Sequence, residues 1–554
     1  MPGEEPNRLS PEWMQQAEAE RNALDGAQPV SRKLKQAGSF WIGSNVGSIA
    51  AGTSRCFSIL KRESAIACLL VFGTPAVEEG RGGRTLQQPS EADYYPIVDI
   101  AIPADIVLEV GGIVVLDDGR PLVCTRRGEV FVIENAYGRD AGPPTFKLWA
   151  QGLHEPLGLL AHNGWIYTAQ RQELTRMRDE DGDDRADVFE TVCDDWNISG
   201  NYHEYAFGPT LDREGNFWIT LNKPFGDEPF GKVDFRGWAM RISPGGELVP
   251  TCCGLRSPAG IEQSPWGDVF YTDNQGEWCG ANKLSWLRPG DFHGHPHGLD
   301  SCRHPSSPVP HPGDPRDGEL MPDVAKKLPT FRLPSVWFPY EKMGKSASGL
   351  VWDTTGGKFG PFAGQLLVGD QHHACINRVF LEKVDGEWQG ACFPFRYGFA
   401  CGVLRLCFGT DDSLLVGMTN RGWGSRGKDG QGLQRTFWNG KVPFEVHEMR
   451  VQAAGFELTF TRPIDGNSAA DVASYSMESY TYKLHSEYGS PEVDRKTVKI
   501  QGAEVASDHR GVRLFLESLR EGYVHELWMK GMKSVDGESL VHPDAYYTVL
   551  RAPR

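Results

Sequence analysis

One pattern recurs six times between residues 105 and 440, and it limits the folds open to this chain. Each copy starts on small or apolar residues, alternates, turns at Gly or Asp, and enters an aromatic or aliphatic run ending on a polar residue. Gly112-Ile-Val-Val-Leu-Asp-Asp-Gly leads to Pro121-Leu-Val-Cys-Thr125, and Gly158-Leu-Leu-Ala-His-Asn-Gly to Trp165-Ile-Tyr-Thr168. Phe207-Gly-Pro-Thr-Leu-Asp-Arg-Glu-Gly leads to Asn216-Phe-Trp-Ile-Thr220, and Gly260-Ile-Glu-Gln-Ser-Pro-Trp-Gly to Asp268-Val-Phe-Tyr-Thr272. The last two copies pair Gly349-Leu-Val-Trp-Asp with Gln365-Leu-Leu-Val-Gly369, and the run from Val403 with Ser413-Leu-Leu-Val-Gly417. Period-two alternation broken by a tight turn is the mark of a β-hairpin. Most copies are about 46–55 residues apart, near the length of a four-stranded blade, and one interval of about 90 contains the Pro- and His-rich stretch 291–345. A closed ring of blades leaves few exposed sheet edges. The expected fold is all-β, with a six-bladed β-propeller over residues 93–442. The first strand of each blade lines the channel, so residues just before it face the channel mouth.

After Trp438-Asn-Gly440 the pattern changes. Strands such as Gly455-Phe-Glu-Leu-Thr-Phe460 and Val512-Arg-Leu-Phe-Leu516 predict an immunoglobulin-like β-sandwich over 443–554, in a packing or spacer role. Composition closes off the other classes. With 65 Gly and 37 Pro the chain cannot be a helical bundle, and 27 Phe, 16 Tyr and 16 Trp require a buried core. A formal net charge of −16 argues against nucleic acid or an anionic membrane as partner. No apolar run approaches the roughly 18 residues of a membrane span.

Residues 1–92 read as an N-terminal extension and linker. Lys61-Arg62, the apolar run Ala65 to Phe72 and Gly73-Thr-Pro-Ala76 follow the plan of a secretory signal near 60–76. That plan implies a start codon near 55–60 and a periplasmic or secreted protein. Of the 12 Cys, the pairs Cys279/Cys302 and Cys252/Cys253 are candidates for oxidation in such a compartment. The sequence has no Cys-x-x-Cys-His, hence no site for covalent haem, and no zinc-type pair of cysteines.

Several residues could carry chemistry. Asp179, Asp181, Asp183 and Asp187 with Glu190 place alternate carboxylates in one short loop, which suits a calcium ion stapling a hairpin. Their spacing differs from an EF-hand, because Gly182 stands at the fourth position. His203 precedes the inner strand of the third copy, where a neutral imidazole could take a proton from a substrate hydroxyl. His154 holds the same place in the second copy. Ser257 to Gly260, Ser346 to Gly349, and Arg396 to Arg405 bring the other blades to that mouth. Polar residues ending second strands, Gln170-Arg171, Asp273-Asn274-Gln275, Asp370-Gln371-His372-His373 and Asn420-Arg421, are candidates for cofactor binding or for capping blade turns. His293, His295 and His297 are a candidate metal cluster or a set of loop caps.

The stretches Ser257-Pro-Ala-Gly-Ile261, Asp268-Val-Phe-Tyr-Thr-Asp273 and Asn282 to Pro296 resemble soluble quinoprotein glucose/sorbosone dehydrogenases. Leu153-His-Glu-Pro-Leu-Gly158, Tyr202-His-Glu-Tyr-Ala-Phe207, Tyr271-Thr-Asp-Asn-Gln-Gly276, Thr419 to Arg426 and Tyr488 to Glu492 are similar to exported planctomycete-type proteins named membrane-bound dehydrogenases. The resemblance implies oxidation of a sugar or polyol with pyrroloquinoline quinone as hydride acceptor and calcium beside it. In that reading His203 is the base and Arg405 matches one of the arginines that hold the quinone. His154, Arg171, Asp273, Asn274, His372 and Arg421 are the further cofactor candidates, and a separate cytochrome is the expected electron acceptor. The fifth blade departs from the family, with Gln371-His-His where a basic residue is expected. Two rival readings make different predictions. A non-catalytic carbohydrate-binding propeller needs an aromatic platform from Tyr202, Tyr205, Trp278, Phe399 and Trp423. A metal-dependent lactonase or hydrolase needs a calcium ion ringed by carboxylates in the channel.

Overall fold

A computed structural model describes residues 90–225 and 233–553. The chain separates into Met1–Gly83 and Arg84–Arg554, and every described residue belongs to the second unit. The signal-like run at 60–76, and with it the expected start codon, lies outside the described residues. No helix among the described residues is long and apolar enough to cross a membrane.

Each of the six predicted hairpins forms the two inner strands of a four-stranded antiparallel blade. The innermost strands are Val110–Val115, Leu160–His162, Ala206–Leu211, Pro258–Gln263, Ala347–Trp352 and Val403–Phe408. In the fourth blade the outer strand, Val336–Phe338, is reached only after a long excursion from Asn282–Trp286 that carries the short helix Met321–Lys327. That excursion accounts for the long interval between copies. The sixth blade takes its outer strand from the opposite end of the propeller: Ile97–Asp99 pairs with Gln431–Thr436, Ile97 opposite Thr436. The ring is therefore closed by hydrogen bonds between chain segments far apart in sequence.

Neighbouring inner strands touch backbone to backbone, which fixes residue choice. A Cβ on Gly158 would stand 2.3 Å from the Gly208 carbonyl oxygen, and one on Gly260 would stand 2.3 Å from that of Ser348. Only glycine permits these approaches. Aromatic and aliphatic residues fill the space between blades, with Trp196, Trp238, Phe270 and Phe338 all buried.

Residues 446–549 form two further sheets. One comprises Val446–Gln452, Gly455–Phe460, Gly511–Leu516 and Ile500–Val505; the other comprises Asp544–Val549, Tyr523–Trp528, Ser476–Thr481 and Val493–Thr497. They enclose a common core that includes Met449, Phe456, Leu514 and Leu527. This is the expected sandwich following the propeller. It is not a bead on a linker, however. Asp544–Val549 pairs with the outer strand of the fifth blade, Glu387–Arg396, with Ala391 opposite Tyr547, and makes one eight-stranded sheet.

All ten described cysteines are free thiols, so neither expected disulfide forms. The Cys302 thiol meets that of Cys253 rather than Cys279.

Candidate functional site at the propeller mouth

The chain runs toward the mouth along each second strand and leaves it along each innermost strand. Two sets of residues therefore gather there: those just before the innermost strands and those just after the second strands. Residues 153–157 and 199–205 belong to the first set; 126–127, 170–173, 222–225, 371–374 and 420–426 belong to the second. Members of both sets line a cavity of about 780 Å³, to which Arg126, Arg127, Arg171 and Arg421 bring guanidinium groups and Glu155 a carboxylate, beside His154 and Tyr202; residues 222–225 and 371–374 lie outside that lining.

Glu155 is the electrostatic centre of this basin. It is buried, accepts hydrogen bonds from Arg126 Nε (3.1 Å) and Arg171 Nε (2.7 Å), and lies 3.8 Å from Arg421 Nε. Arg126 also donates to the Arg421 carbonyl (2.6 Å), and Arg171 donates to the carbonyls of Asn201 (3.2 Å) and Tyr202 (2.7 Å). Both guanidinium groups lie 4.9 Å from the Tyr205 ring centre, which holds them by cation–π attraction. Arg127 is exposed, and Arg421, 45 % exposed, pairs with Glu109 at 3.0 Å.

His203 is at the predicted place but turned away from the basin. Its ring is buried and stacks on Phe225 at 3.6 Å. Nδ1 lies 2.5 Å from the Lys223 carbonyl oxygen, which only accepts, so Nδ1 carries the proton. Nε2 accepts from the Ser257 hydroxyl at 2.9 Å. Burial, with Arg256 and Lys223 close by, holds its pKa well below the ordinary value, so the ring is neutral at pH 7. That is the protonation state of a base, but the lone pair is occupied.

Arg405 does not reach the mouth. It stands at the sixth blade's equivalent of Gly260 and Gly349, and its guanidinium fills the channel. It donates to the carbonyls of Gly111 (2.7 Å), Ala259 (2.8 Å), Leu404 (2.7 Å) and Leu157 (3.2 Å), tying the inner edges of four blades together. Burial lowers its pKa to about 9, which leaves it charged at neutral pH. The channel beside it is a cavity of about 70 Å³ whose lining includes one carboxylate, Glu262. Burial raises Glu262 to about 7. The carboxylate ring expected of a channel calcium is not among the described residues.

The carboxylates at 179–190 lie between Leu174–Arg178 and Val188–Cys193, on the face opposite the mouth. Asp179, Asp181 and Asp187 converge, but Asp183 and Glu190 do not join them. Glu190 instead pairs with Arg176. Asp179 caps the amides of Gly182 (2.7 Å) and Asp184 (3.0 Å). A calcium ion here could not polarise anything bound at the mouth.

The other candidates divide by role. His154 is exposed on the basin, its Nδ1 2.7 Å from Gln172. Asp273 is fully buried and accepts the amides of Ser257 (2.6 Å) and Arg256 (3.1 Å), so it caps a blade rather than a ligand. Asn274 donates to the Ser257 carbonyl at 3.2 Å. His372 bonds through Nδ1 to the Gly424 carbonyl at 2.8 Å. His293, His295 and His297 are not among the metal-competent groups, and His295 Nδ1 accepts the His297 amide at 3.0 Å. Of the expected aromatic platform, Tyr202 and Trp423 are exposed, Trp278 is half-buried, and Tyr205 and Phe399 are buried.

A second charged cluster was not foreseen. Glu277 binds Lys223 (3.0 Å) and Arg256 (2.8 Å), and the Arg256 guanidinium lies 5.2 Å from the ring centre of Tyr488, which comes from the sandwich. Although burial disfavours its charge, Arg256 and Lys223 hold the Glu277 carboxyl well below the usual range. Arg126 and Arg127 follow their strand as Gln170 and Arg171 follow theirs, so position in the repeat was the available signal. Nothing in the repeat indicates Tyr488.

A protein-family model described as a domain of unknown function (DUF7133) matches residues 119–297, a span that contains Arg126, Glu155, Arg171, His203 and Arg256. No curated protein matches the chain. Among solved structures, an oxidoreductase described as a glucose dehydrogenase from Thermus thermophilus is 19% identical, with 62% of this chain and 100% of that one covered and a TM-score of 0.45. The aldose sugar dehydrogenase of Streptomyces coelicolor, in its PQQ-bound form, is 14% identical over 63% of this chain and 99% of that one, TM-score 0.42. The PQQ domain of pyranose dehydrogenase from Coprinopsis cinerea is 12% identical over 65% of this chain and 99% of that one, TM-score 0.44.

Proposed function

We propose that the protein takes a carbohydrate or polyol bearing an anionic group into the arginine basin. The observation that carries this reading is the basin's charge: four guanidinium groups and one carboxylate line it, in a chain of net charge −16. Arginines so placed pair bidentately with oxyanions such as a carboxylate or a phosphate. Arg126 and Arg171 are committed to Glu155 and to backbone carbonyls, so the exposed Arg127, with Arg421 exchanging its exposed pair with Glu109, would hold the anion. Tyr202, 58 % exposed on the basin lining, offers a flat face for a sugar ring.

Quinone-dependent sugar oxidation, which the resemblance implies, is a finer reading of the same mouth. Pyrroloquinoline quinone would supply a two-electron hydride acceptor, and its carboxylates suit Arg127 and Arg421. The remaining residues do not fit it. The lone pair of His203 is occupied by Ser257, Arg405 is consumed in the channel, and the carboxylate hairpin lies on the far face. No oxidation step is derived from this arrangement, and a separate cytochrome acceptor has no support in it. The enclosure of His203 favours binding without turnover.

Titration calorimetry of the protein with neutral and acidic sugars, and dye reduction with added quinone and calcium, separate these readings. Acidic sugars should bind. Arg127→Ala and Arg421→Ala should each weaken binding about tenfold, as for one hydrogen bond to a charged group, and salt should weaken it further. Failure of the folded protein to bind any acidic sugar overturns the proposal. Quinone-dependent turnover abolished by His203→Ala would establish oxidation instead.

A further inference from the structure

Asp370, His373 and Cys375 stand where the fifth blade's second strand turns back at the mouth, and all three are buried. One ligand atom from each lies within 4.8 Å of the other two. The turn that gathers them includes Ala374 at φ +52°, a left-handed conformation costing roughly 1–2 kcal/mol for a residue with a Cβ. The Asp370 carboxylate accepts the amides of His373 (2.7 Å), Lys345 (2.8 Å) and Ser346 (2.7 Å). An ionised carboxylate has about four acceptor sites, so one remains, on Oδ1. His373 Nε2 faces Glu341 Oε2 at 3.2 Å, which leaves Nδ1 for an ion. A carboxylate behind the imidazole of a metal-binding histidine orients the ring and strengthens its donor nitrogen.

We infer that Asp370, His373 and Cys375 bind one zinc ion, with Glu341 positioning His373. One thiolate, one imidazole and one carboxylate are donors that zinc takes, and a water would fill the fourth tetrahedral position. Binding forms a zinc–sulfur bond, and the thiol proton leaves to solvent. The two negative ligands then offset the charge of the ion, so the buried cluster is neutral. The expected role is structural. The same turn carries Gln371, whose side-chain amide donates to the carbonyls of Thr419 (3.1 Å), Arg421 (3.3 Å) and Trp423 (3.2 Å). An ion in the turn would thus hold the loop that presents Arg421 to the basin.

The test uses the full chain, stripped with a chelator and titrated with zinc or cobalt(II). Wild type should bind one equivalent and, with cobalt, develop a sulfur-to-metal charge-transfer band. His373→Ala and Cys375→Ala should abolish that band and the bound equivalent. Glu341→Gln should keep the band but weaken affinity about 10–100-fold, as removal of such supporting groups does. A folded wild type that takes up no metal, or takes it up with no sulfur-to-cobalt band, overturns the inference whatever the variants do. So does a variant that keeps its full equivalent, because the ion then lies elsewhere, for example at Asp179.

Discussion

Glu155 shows how much one side chain decides at the mouth. It is buried between two guanidinium groups that are only 4% and 12% exposed, Arg126 and Arg171. Glu155→Gln would leave two buried cations without their counter-charge, at a cost of about 3–5 kcal/mol. Equilibrium urea unfolding checks this, and a loss below about 1 kcal/mol would mean that solvent screens the cluster like an ordinary surface pair. His203 was found because its place in the repeat was counted, but the direction of its ring was set by Phe225, Lys223 and Ser257, from other loops. The resemblance implies that Arg405 is one of the arginines holding a quinone at the mouth. It occupies the position where the fourth and fifth blades have Gly260 and Gly349, and only the packed ring shows that its side chain fills the channel.

At the scale of elements, the hairpins were legible because a half-buried strand must alternate. Ring closure was not. Ile97–Asp99 is three residues long, too short for a periodic signal, and its partner Gln431–Thr436 lies at the far end of the propeller. A chain beginning at residue 100 should lose the sixth blade's outer strand together with buried Tyr94 and Tyr95. Each such side chain contributes about 1.5–3 kcal/mol, and Gln431–Thr436 becomes an open edge prone to pairing with other chains. Against a chain beginning at residue 90, thermal unfolding should shift down by several degrees and amide exchange should rise across 431–436. Equal exchange in the two would show that the strand adds nothing to closure.

The two ends of the described chain are tied together by a charged contact. His542, in the sandwich region, lies between Glu445 (Nδ1, 2.6 Å) and Glu91 (Nε2, 2.9 Å), so its imidazolium ties the start of the described chain to the sandwich. Burial opposes the charge, but the two carboxylates raise its pKa to about 10. The folded-state value lies above the ordinary 6.5, so this contribution is complete below about pH 6.5 and is lost as pH rises through about 10. Thermal stability should fall over that interval, and His542→Gln should flatten the fall. An unchanged slope in the variant would place the pH dependence elsewhere.

The sequence by itself determined the blades and their number. Those follow from alternation and spacing, which are local and repeat. Tertiary structure decided what has no local period: that Asp544–Val549 continues the fifth blade, that the channel is plugged, that the carboxylate hairpin faces away, and that Arg126, Arg171 and Glu155 meet. Charge pairing and side-chain direction depend on which distant loops come together, and that is fixed only when the ring closes.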